Sequence, residues 1–100
     1  MGVTINPPVQ KTCGDSSTGH ILNSNTTSVI VRNRSGTEIA NVNYGTSIGS
    51  TQPSQGGNNA VRLLPDDSIQ LVGDGVGTPK IYYVNDVDGE SPQIEIIEFT

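Results

Sequence analysis

A chain of 100 residues has room for one compact domain with one core, and a domain this short buries a smaller share of its surface than a larger one does. With 32% apolar residues, 12 glycines, 6 prolines and no tryptophan, that core is thin and the turns are plentiful. Ten acidic against five scattered basic side chains leave a net charge of −5, which excludes the clustered Lys and Arg that phosphate binding needs, so nucleic acid is not an expected partner.

Valine, isoleucine and threonine supply 30 residues against two alanines and four leucines, a balance that favours strands. Residues 1–17 contain Pro7-Pro8 and no sustained alternation, so they are expected to form an extended N-terminal arm outside the core. Neither a basic region nor an apolar run marks Met1–Gln10 as a secretory signal, and no stretch approaches the roughly 20 apolar residues that span a bilayer. A soluble protein made in a cytoplasm is the expectation, and Asn25-Thr26-Thr27 and Asn33-Arg34-Ser35 are then chance matches to the glycosylation pattern.

From Thr18 the chain breaks into short β-rich runs at His20–Asn23, Ser28–Asn33, Thr37–Tyr44, Ala60–Leu64, Ser68–Gly73, Lys80–Asn85 and Gln93–Phe99. About seven strands in a single β domain over 18–100 predict an all-β fold, a small antiparallel sandwich or barrel. Alternation turns Val29 and Val31 inward, and likewise Ile69 with Leu71 and Ile81 with Tyr83, leaving Tyr82 as a candidate surface aromatic. The last run changes parity: Ile94 and Ile96 share one face, Ile97 and Phe99 the other, which a β-bulge near Ile96 or burial of both faces in an oligomer would reconcile. Residues 46–59 read as a long mobile loop, and Leu64-Pro65-Asp66-Asp67-Ser68 as a turn.

Chemistry is sparse along the chain. Cys13 and His20 are the sole cysteine and histidine, and a nucleophile and base without an orienting group or an oxyanion site make no catalytic unit. Two such ligands are also too few for zinc. Asp86, Asp88 and Glu90, with Asp66, Asp67 and Asp74 elsewhere, offer carboxylates for calcium, but Val84 stands where an EF-hand-type loop has its first ligand. A type I′-like hairpin turn at Asp88-Gly89 accounts for the same residues. Gly73-Asp74-Gly75-Val76-Gly77 precedes a strand rather than a helix and so is no phosphate cradle. Glu95 and Glu98, three apart on a strand, face opposite sides and make a poor acid and base pair. No catalytic, cofactor-binding or metal residue is therefore assigned. Because Cys13 cannot close an intrachain disulfide, oligomerisation or docking on a larger body is the expected source of extra stability.

AVRLLPDDSIQLVG, KIYYVND and IEIIEF, with SVIVRNRSG before them, resemble small β modules among the virion proteins of tailed bacteriophages, the capsid decoration, cement and head-fibre proteins. The likeness covers roughly residues 25–99, and Asp66 departs from the glycine that such modules often carry after the proline. The resemblance implies a non-enzymatic virion protein, made in a host cytoplasm, that docks on the major capsid protein or another virion protein, commonly as a homotrimer. The alternative is a glycan-binding adhesion or head-fibre module using Tyr44, Tyr82, Tyr83 and the loop 46–59.

Overall fold

A computed structural model describes residues 4–45, 52–72 and 79–100. Eight strands form among them: β1 Val9–Thr12, β2 Thr18–Ile21, β3 Ser28–Asn33, β4 Ala40–Gly45, β5 Val61–Leu63, β6 Ser68–Val72, β7 Lys80–Asn85 and β8 Gln93–Phe99. The expected all-β antiparallel sandwich holds, with four strands in each sheet. The first sheet has the order β1-β8-β3-β6 and the second β2-β7-β4-β5.

These orders have one origin. The pairs β1–β8, β2–β7, β3–β6 and β4–β5 are those of a single long antiparallel hairpin whose tip is β4–β5. Alternate pairs go to opposite sheets, and β3–β8 and β4–β7 close each sheet. That is the eight-stranded jelly roll. The core lies between the sheets, where Val29, Val31, Ile94 and Ile96 of the first meet Ala40, Val42, Leu63, Ile81 and Tyr83 of the second.

Three expectations need correction. Residues 1–17 do not all lie outside the core, because Val9–Thr12 form an edge strand on β8 and Cys13 is fully buried. Edge strands read poorly from sequence, since only one neighbour constrains their side chains. Of the two alternatives for the parity change in β8, the bulge near Ile96 is absent: β3 and β8 pair one to one from Ser28↔Phe99 to Asn33↔Ile94. The extra residue belongs to the facing segment, where Ile5 bridges Phe99 but Val9 pairs with Ile96, so the slip falls at Pro7-Pro8. Finally, Asp88-Gly89 is no hairpin of type I′. β7 and β8 belong to different sheets, and of the two residues only Gly89 has positive φ, 87°.

Four connections, residues 13–17, 34–39, 64–67 and 86–92, gather at one end of the sandwich. They hold seven of the ten carboxylates: Asp15, then Glu38, then Asp66 and Asp67, then Asp86, Asp88 and Glu90.

Candidate functional site

Buried asparagines build the acidic end. Alternation carries Asn33 inward behind Val29 and Val31, and Asn85 behind Ile81 and Tyr83; both are fully buried. A buried amide must find partners. Asn33 Nδ2 donates to the carbonyls of Glu38 at 2.7 Å and Leu63 at 3.0 Å, and its Oδ1 accepts from the Ser35 amide at 2.9 Å. Asn85 Nδ2 donates to Asp15 Oδ1 at 2.7 Å and the Glu90 carbonyl at 2.9 Å, while its Oδ1 accepts from Gln55 Nε2 at 2.6 Å. Each side chain thus ties two or three connections together.

Two of the candidate calcium ligands, Asp86 and Asp88, are engaged in this network. Asp86 accepts from Asn41 Nδ2 at 3.1 Å and pairs with Arg62 Nη2 at 2.9 Å. The Asn41 hydrogen bond, helped by Arg62, holds its carboxyl below the ordinary range. Asp88 Oδ1 accepts from Gln55 Nε2 at 2.7 Å. Asp15 accepts from the Gly89 amide at 2.9 Å as well as from Asn85, and the two bonds lower its pKa. Among the described residues no three His, Cys, Asp or Glu side chains converge as metal ligands, and Asp74 lies outside those residues. This end is built of loops bonded to one another.

No hydrogen bond joins Cys13 to His20. Cys13 sits in the core, and burial pushes its thiol up to about 12, which keeps it protonated and poorly nucleophilic. His20 projects from β2 toward Glu98 on β8, with Nε2 at 3.8 Å from Oε2, beyond hydrogen-bond reach. Desolvation first, then Lys11, lowers the His20 pKa against the opposing pull of Glu98. The other Glu98 oxygen accepts from the Asn23 amide and Thr26 Oγ1, both at 2.7 Å, and so fastens the connection after β2 to β8. Glu95 points the other way and pairs with Arg34 at 3.2 Å, so the two glutamates lie on opposite faces as expected.

The tyrosine platform is not exposed. Tyr82 points outward from the second sheet yet is only 9% exposed, because its ring lies over Gly19, where a Cβ would come within 2.9 Å of Cε1. Tyr83 is buried in the core and Tyr44 is half-buried. Residues 46–51 lie outside the described residues, as do 73–78. Residues 52–59, expected to be loop, are packed: Pro53 is buried, a 3-10 turn spans Gln55–Gly57, and Gln55 reaches Asn85 and Asp88. Asn43 Nδ2 donates to the Asn59 carbonyl at 2.8 Å, so the segment runs across the outer face of the second sheet. A shallow recess of about 10 Å³, room for no more than a water molecule, opens between Leu22, Val29, Tyr44 and Leu71, far below the roughly 300–1,000 Å³ typical of ligand pockets.

The outer face of the first sheet is the surface that sequence reasoning left open. Ile30, Ile97 and Phe99 are half-exposed there, beside Ile5 at 64% and Val72 at 72% exposure. Apolar residues at both parities of β8 were its signal. Among the described residues no helix is long and apolar enough to cross a membrane. Compared with models of protein families, with curated proteins and with solved structures, the chain matches none.

Proposed function

We propose that this chain is a non-enzymatic structural module of a virion, a capsid decoration or cement protein that docks on the phage head and braces it. The observation that carries the reading is the outer face of the first sheet, where Ile5 and Val72 are exposed and Ile30, Ile97 and Phe99 half-buried, on a domain whose core is thin. Such a domain gains stability from whatever binds only its folded form. The jelly roll supports the reading by analogy, since the fold recurs in capsid domains and also in lectins and cupins. The burial of the sole thiol, protonated and without a hydrogen bond to His20, supports a role without catalysis. The glycan-binding alternative loses its main support with Tyr82 and Tyr83 buried.

The test is the composition of purified particles from the phage or prophage whose genome carries the sequence. The protein is expected in those particles in many copies, and purified protein should rebind particles that lack it. Its absence from particles, with all of it recovered free in the lysate, overturns the proposal.

A further inference from the structure

We infer that the outer face of the first sheet is a self-complementary interface, on which a second copy of this chain packs about a twofold axis lying parallel to the strands between β8 and β3. The register sets out three rows across this face. Ile5, Phe99, Ser28 and Val72 form the first; Ile97, Ile30 and Gln70 the second; Gln10, Glu95, Arg32 and Ser68 the third.

A twofold axis along the strands exchanges left and right but keeps each row level, so β8 of one copy faces β3 of the other. Ile97 then lies over Ile30 of the second copy, and Ile5 over Val72. In the third row Glu95 meets Arg32 of the second copy, and Arg32 meets its Glu95. Every row is matched to itself, as an isologous interface requires. An axis across the strands and centred on the second row would instead set the apolar first row against the charged third.

Charge selects the same occupant. Two copies of a chain carrying −5 repel one another, but the described residues of this face include one carboxylate, Glu95, with Arg32 and Arg34 around it. Among the described residues Arg32 forms no ion pair within its own chain. The acidic loops of the two copies stand at the same end of the dimer, and salt at ordinary strength screens their repulsion. Four strands about 4.8 Å apart and three rows about 6.7 Å apart cover roughly 400 Å² per copy, or about 800 Å² in all. That is about half the usual size of a stable interface and predicts a weak dimer.

This rests on the reading of a domain braced by its neighbours and names a second copy as the neighbour on this face, so that docking on a particle falls to the other surfaces of the dimer; its test does not depend on particle binding. Sedimentation equilibrium at physiological salt, from micromolar to millimolar protein, should show a monomer passing to a dimer. Arg32→Glu, which sets like charges against each other, is expected to weaken dimerisation at least about tenfold. The double variant Arg32→Glu/Glu95→Arg should return it to within about threefold, with circular dichroism showing both variants folded. A monomer throughout, a trimer mass, or a double variant no better than the single one overturns the interface. Particle binding is scored separately. A wild-type dimer that binds no particle overturns the virion role and supports the interface, whereas a monomer that still binds particles does the reverse.

Discussion

On the second sheet, Asn41, Tyr82 and Val84 point away from the core and are nonetheless buried; on the first sheet, Ile30, Ile97 and Phe99 point away from it and stay half-exposed. The two faces belong to sheets of equal strand number from one rolled hairpin. Among the described residues the second sheet carries residues 52–59, held by Gln55 and Asn43, while the Tyr82 ring is covered by its packing on Gly19. One face is closed by the chain's own connection. The other has no such segment among the described residues. Outward-facing apolar residues therefore need a covering partner whose source alternation does not specify.

The sharpest way to break this comparison is to place polar groups on the two faces. Val84→Asp buries an uncompensated carboxylate under residues 52–59 and should cost about 3–5 kcal/mol, a fall in Tm of roughly 15 °C or more. Ile97→Thr on the open face should cost no more than about 1 kcal/mol while abolishing dimerisation. Thermal melts of both variants decide it, and equal losses would show that the two faces do not differ in this way.

Gln55→Ala tests what closes the second sheet. Removing an amide that satisfies Asn85 Oδ1 and Asp88 should cost about 1–3 kcal/mol and open residues 52–59 to limited proteolysis. Unchanged cleavage would mean that Pro53 and the backbone hold the segment by themselves.

The two smallest effects leave both outer faces as they are. Asp66 occupies the position after Pro65 with φ at 65°, a conformation that glycine adopts more readily. Asp66→Gly should raise stability by about 0.5 kcal/mol, measured by urea unfolding, without altering dimerisation. His20 has a lowered pKa in the folded protein, so the unfolded chain binds more protons just below pH 6.5. Its contribution is full above that pH and is lost as pH falls through the folded value. Tm should therefore decline slightly below pH 6.5 and further below 3.8, where the unfolded chain takes up protons at Asp15 and Asp86 before the folded protein does, and His20→Gln should remove the first step alone.

Much of the fold was legible because alternation is a local property. β3, β7 and β8 form over the ranges that their alternation and turn residues predict, and Val29, Val31, Ile69, Leu71, Ile81 and Tyr83 all turn inward. Asn33 and Asn85 were equally legible in position, since each extends an inward parity by two residues. Their roles were not, because the carbonyls and carboxylates they hold come from connections as far away as Leu63 and Asp15. Tyr82 was misjudged for a related reason: its parity is outward, and its burial depends on a glycine on a neighbouring strand, 63 positions earlier.

By itself the sequence determined the class of the fold, the inward face of most strands, the lack of a spaced catalytic or metal motif and the doubled parity of β8. These follow from side-chain type and a period of two residues, which any strand imposes whatever it pairs with. Only the tertiary structure decided that β1 joins the core, that the acidic connections meet at one end, and that one sheet is covered while the other is left open. Those outcomes depend on which distant strands pair, and pairing is a property of the whole rolled hairpin rather than of any stretch along it.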